Sequence, residues 1–240
     1  MTIATCYLKV LAAAGLAALV GACASHPPPP DWQMNAKGAS ESAITAYLTG
    51  DTHVEVLEFD RMRRAIARTG DINLMARAEL LRCATRVASL VLEDCAAFEA
   101  LRSDAATPER AYADYLAGRL RPQDVVLLPP QHRAAAAHLL EGGTMTSGDT
   151  ATLSAIADPL ARLVAASVWF RAGQAHPAVM ALAVETASSQ GWNRPLLAWL
   201  QVQARHAELG GDAAEAQRLR RRVELVLRAG GAPDGIKPLR

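Results

Sequence analysis

The sequence predicts an all-α fold built from antiparallel helical hairpins. Three features carry that prediction: apolar residues recur at three- and four-residue steps, capping residues open the amphipathic stretches, and glycines close them. No segment sustains period-two alternation with β-branched enrichment; the nearest, Val125-Val126-Leu127-Leu128, is stopped by Pro129-Pro130. At 240 residues and 51% hydrophobic composition, the chain has material for one sizeable core or two small ones.

The first amphipathic stretch, from residue 36, ends at Gly50. Thr52 and Glu55 have capping-box spacing for a second helix carrying Phe59, Met62 and Ile66, closed by Gly70. Asp71 caps a third, in which Leu80, Ala84, Val87 and Val91 share one face while Arg82, Arg86 and Ser89 share the other. Thr107-Pro108 and Asp158-Pro159 each pair an N-cap with proline at the first helical position, and these helices run to Gly118 and Gly173. Pro177 and Pro195 start two more, the latter with Leu196, Leu200, Ala204 and Ala207 inward; after Gly210-Gly211, Asp212 and Glu215 cap the last.

Gly142-Gly143 through Gly148-Asp149 is small and polar, an expected exposed loop between an N-terminal helical half (36–141) and a C-terminal hairpin half (149–230). A flexible tail, 231–240, is expected to follow. Tyr47-Leu48-Thr49-Gly50, Tyr115-Leu116-Ala117-Gly118 and Phe170-Arg171-Ala172-Gly173 each place an aromatic three residues before a helix-ending glycine. This resembles the first-helix end of tetratricopeptide repeats, with Ala178 and Leu182 at matching small and large positions. Gly173 and Gly210 are 37 residues apart, near the roughly 34-residue period of that family. The earlier glycines are 68 and 55 apart, so a degenerate array and an irregular bundle both remain open.

The N-terminus carries an address. Lys9 precedes an unbroken apolar run, Val10 to Val20, whose 11 residues fall short of the roughly 20 needed to span a bilayer. Residues 1–22 therefore read as a cleaved signal peptide. Leu19-Val20-Gly21-Ala22-Cys23 resembles the lipobox of bacterial lipoproteins, which implies acylation of Cys23 and cleavage immediately before it. Residues 23–35 follow as a tether containing Pro27-Pro28-Pro29-Pro30, which favours extended polyproline. By the same resemblance, Ala24 implies the periplasmic face of the outer membrane, with the membrane itself as first partner through the lipid.

Removing Lys9 with the leader leaves 24 Lys+Arg against 24 Asp+Glu, a neutral balance that argues against nucleic acid as a partner. Cys83 and Cys95 remain in the mature chain, and in an oxidising compartment a bridge is expected. In one continuous helix they would lie about 18 Å apart, well beyond the roughly 7 Å a disulfide tolerates. A bridge thus requires the helix to end near Leu90 and Val91 to Asp94 to return extended; two buried free thiols are the competing reading.

No histidine pair among positions 26, 53, 132, 138, 176 and 206 has helical metal-site spacing, and no nucleophile elbow, phosphate loop, HExxH or dinucleotide fingerprint occurs. No metal or cofactor is predicted. Glu55, Glu58 and Asp60 sit among Arg61, Arg63 and Arg64, which favours solvated ion pairs over paired-carboxylate chemistry. Arg218, Arg220, Arg221, Arg222 and Arg228 lie opposite Ala216, Leu219, Val223 and Val226 on the last helix, the pattern of a solvated face. Asp31-Trp32-Gln33 places an aromatic where the tether can dock onto the domain. The expected role is a non-catalytic interaction or scaffold module with a protein partner in the cell envelope. The alternatives are a peptidoglycan-active hydrolase, which needs two carboxylates in a concave pocket, and a small-ligand binder, which needs an apolar cavity.

Overall fold

The computed structural model describes residues 29–142 and 150–230, and every regular element in them is helical. In chain order these are α1 (Asp31–Thr49), α2 (Thr52–Ala67), α3 (Ile72–Ala88), α4 (Ala96–Glu99), α5 (Thr107–Leu116), a 3₁₀ turn (Pro122–Leu127) and α6 (Pro130–Leu140). Beyond the loop follow α7 (Thr150–Ser154), α8 (Pro159–Arg171), α9 (Pro177–Ser189), α10 (Asn193–Leu209) and α11 (Ala213–Gly230). The Val125–Leu128 run ends in the 3₁₀ turn, where the flanking prolines deny it strand pairing.

Helix starts differ from expectation in four places, one of them α10, which begins at Asn193, two residues before the expected Pro195. α1 begins at Asp31, five residues inside the expected tether: Pro30 takes φ −56° and needs no N–H, while Asp31 complements the first turn. Trp32 is therefore a half-buried residue of α1. At α2 the cap is Asp51, whose carboxylate accepts from the Val54 amide at 3.0 Å, and Glu55 is buried in an ion pair instead of closing a capping box. At α5 Thr107 lies inside the helix; the preceding Ala106 amide donates to Asn73 Oδ1 at 2.8 Å, so α3 ties down the entry to α5. Asp71, Asp158 and Asp212 cap α3, α8 and α11 as expected, accepting from Leu74, Ala161 and Glu215 amides.

α1 and α2 form a hairpin closed over a small core of Ala36, Ala39, Ala43, Phe59, Met62 and Ile66. The main core draws Leu80, Val87, Tyr115 and Leu128 from before the 143–149 loop and Leu163, Trp169, Trp199 and Leu219 from after it. The two expected halves therefore share one core; the loop itself lies outside the described residues. α8 to α11 each pack on the next, yet α3 also packs on α8 and α1 on α10. Contacts between elements so distant in sequence go beyond the nearest-neighbour stacking of an ideal repeat array, within an all-α architecture of helix packed on helix.

Central α3 is covered on more sides than a surface helix. Ser89, expected opposite the apolar face with Arg82 and Arg86, is buried, and Glu79 and Thr85 are buried with it. Arginines reach in from the surface to meet such carboxylates: Arg82 pairs with Glu55 at 2.9 Å, Arg63 with Glu79 at 3.1 Å and Arg77 with Glu109 at 2.6 Å. Burial still holds the Glu79 pKa above its ordinary value, with Arg63 and Arg82 opposing. Arg194, at the start of α10, donates to the Tyr47 carbonyl at 2.8 Å and lies 4.4 Å over the Tyr47 ring, fixing α10 to the end of α1.

Candidate functional site

Cys23 lies outside the described residues, whereas Cys83 and Cys95 are brought together in a disulfide with Cα atoms 5.6 Å apart. The geometry arises from the way α3 stops. Leu90 takes φ 59°, the Leu90 amide donates to the Val87 carbonyl at 2.9 Å, and the Val91 amide donates to Arg86 at 3.1 Å. This pair of bonds is a Schellman turn, which ordinarily places glycine at the left-handed position. Leu90 accepts the left-handed backbone while packing its side chain against the main core. The chain then crosses without regular structure to Cys95, which immediately precedes α4.

Closing a loop with a sequence separation of 12 restricts the unfolded chain by an amount worth about 2–3 kcal/mol. We expect a Cys83→Ala/Cys95→Ala chain to lose about that much in urea unfolding and to become insensitive to reductant. A wild type whose midpoint does not move when reductant is added argues against the bond.

Below this staple, α5, the loop leading into it and the 3₁₀ turn enclose an open cleft of about 500 Å³. Four guanidiniums wall it, from Arg102, Arg110, Arg119 and Arg121, together with two carboxylates, Asp114 and Asp124. Arg102 spans Glu99 at 2.6 Å and Asp114 at 3.0 Å. Its hydrogen bond to Glu99 raises the Arg102 pKa and lowers that of Glu99, so both stay charged. Arg121 pairs with Asp124 at 2.7 Å, and Arg119 reaches Asp94 at 3.4 Å across exposed surface. Arg119 follows Gly118, whose φ of 70° turns the chain tightly; a Cβ there would sit 3.5 Å from the Arg171 side chain, which donates to the Leu116 carbonyl.

Arg110 differs from the other three. Its guanidinium donates to the Ala105 carbonyl at 2.5 Å and to Thr107 Oγ1 at 3.1 Å, both neutral acceptors. Among the described residues no carboxylate forms an ion pair with it, so a positioned positive charge faces the cleft uncompensated. Asp114 and Asp124, by contrast, each serve an arginine.

The expected acidic trio disperses: Glu55 is buried against Arg82, Glu58 meets Arg61 at 3.8 Å, and Asp60 is exposed. Among the described residues no group of three or more His, Cys, Asp or Glu side chains could hold a metal, and no helix is long and apolar enough to cross a membrane. On α11, Arg218 pairs with Glu215 and Arg228 with Glu224, and Arg220 pairs with Glu208 of α10, in keeping with a solvated face. The cleft escaped the sequence reading because its arginines lie at irregular intervals across a loop, a helix and a turn, with no periodicity to group them. No family model matches the chain, and neither a curated protein nor a solved structure does.

Proposed function

We propose that the chain is a lipid-anchored protein of the bacterial cell envelope, on the periplasmic face of the outer membrane, acting as a non-catalytic helical interaction module. The observation that carries this reading is the sequence Leu19-Val20-Gly21-Ala22-Cys23, followed by a proline spacer that leads to α1 at Asp31. Several acyl chains on one cysteine, each buried methylene contributing about 0.8 kcal/mol, anchor a domain to a leaflet with no other membrane element. Two further observations agree with it. The Cys83–Cys95 pairing suits an oxidising compartment. The cleft presents charged groups already held in place, as a docking face does.

Cys23→Ser is expected to abolish incorporation of labelled palmitate and to move the protein from the membrane to the soluble fraction after export. A wild type that retains Met1, takes up no label and fractionates with the cytosol would sink the proposal.

A further inference from the structure

We infer that the cleft between α5 and the 3₁₀ turn receives an acidic peptide segment of a protein partner, with Arg110 making the central charge-assisted contact. The inference rests on the interaction-module reading and assigns that reading a face. Its basis is the unequal treatment of the four guanidiniums. Arg110 is half-buried and its fork is already oriented by Ala105 and Thr107, so a carboxylate arriving there meets a prepositioned cation without an internal competitor. Arg119 and Arg121 are 54% and 70% exposed at the rim. The Arg119–Asp94 pair is exposed on both sides and contributes about 0–1 kcal/mol, so a ligand carboxylate can replace Asp94 at small cost, whereas Asp124 is only 15% exposed and keeps Arg121.

The lining also selects among anions. Asp114 and Asp124 stand within the wall and repel a ligand of dense charge, whereas half-buried Leu127 offers apolar surface. A peptide whose acidic residues are spaced by apolar ones satisfies both features, and a polyphosphate satisfies neither. The volume, about 500 Å³, falls within the range of roughly 300–1,000 Å³ of sites that enclose small ligands or short segments.

Binding of a fluorescein-labelled hexapeptide of alternating Glu and Leu to the full chain, read by fluorescence anisotropy, tests this. We expect saturable binding that weakens with added salt. Arg110→Gln should weaken it about tenfold. Arg119→Gln, at a position exposed together with its partner Asp94, should weaken it about threefold. Arg221→Gln on the far helix α11 should leave it unchanged. Equal loss in Arg221→Gln, no loss in either cleft variant, or inorganic tripolyphosphate binding more tightly than the peptide would each overturn the assignment. If the wild type ignores the peptide while Cys23-dependent membrane retention persists, the cleft assignment falls and the anchor reading stands.

Discussion

Replacing Trp199 with alanine is expected to destabilise the whole bundle by about 3–5 kcal/mol. Trp199 is fully buried on α10, packs edge to face on Phe170 with centroids 5.7 Å apart, and donates its indole N–H to the Ala88 carbonyl at 3.3 Å. Truncation therefore opens a cavity in the main core and removes a partner from the terminal carbonyls of α3, next to the strained Leu90 turn. Trp199→Phe keeps most of the volume and should cost about 1–2 kcal/mol, the share of the lost hydrogen bond and the poorer fit. Because the core crosses the 143–149 loop, amides in α3 and α10 should lose hydrogen-exchange protection together in Trp199→Ala. Loss confined to α8–α11, with α3 untouched, would mean that the two halves fold separately.

That coupling is the part of the architecture that the sequence does not display. Several helices were legible from a local rule, although the one opening at Pro130 was not read. Asp71, Asp158 and Asp212 cap because a short carboxylate one residue before a helix reaches the free amides of its first turn. The stop at Leu90 was legible by a different route, since two cysteines 12 positions apart cannot bond along an unbroken helix. What failed had a tertiary cause. Glu55 fits a capping box by spacing, yet Arg82 from another helix draws it into a buried pair, and Ser89 fits a polar face until α3 is surrounded.

The site was less legible than the fold. The cysteine pair announced itself through composition and the expectation of export, because few residues compete for that chemistry. The cleft has no such signature. Arg102, Arg110, Arg119 and Arg121 belong to different local structures, and what distinguishes Arg110 is the absence of a carboxylate in three dimensions. An arginine count treats all four alike, although the fold neutralises three of them.

The second large effect is expected from acid. His132, on α6, is buried between Tyr112 and Tyr115, with ring centroids 5.5 and 5.2 Å away, and its Nε2 lies 3.5 Å from the Tyr112 hydroxyl. Its Nδ1 is buried and has no hydrogen-bond partner among the described residues, so a proton placed there finds no acceptor among them. Burial pushes the pKa down to about 4 from the ordinary 6.5, with Asp158 pulling the other way. Since the folded state resists protonation, the unfolded chain binds more protons between these two values, and stability must fall as the pH drops through that window. The contribution is fully present above pH 6.5 and is lost progressively toward pH 4, amounting to about 3 kcal/mol at the limit. Tyr112 and Tyr115, whose pKa values burial raises, stay neutral throughout and supply no compensating charge. His132→Phe retains an aromatic ring between the tyrosines and removes the titration, so its urea midpoint should change less than the wild type's between pH 7 and pH 4.5. The difference in slope corresponds to one proton. If the two chains lose stability in parallel over that range, His132 is not the group that senses acid, and the carboxylates paired with arginine across the surface must account for the loss.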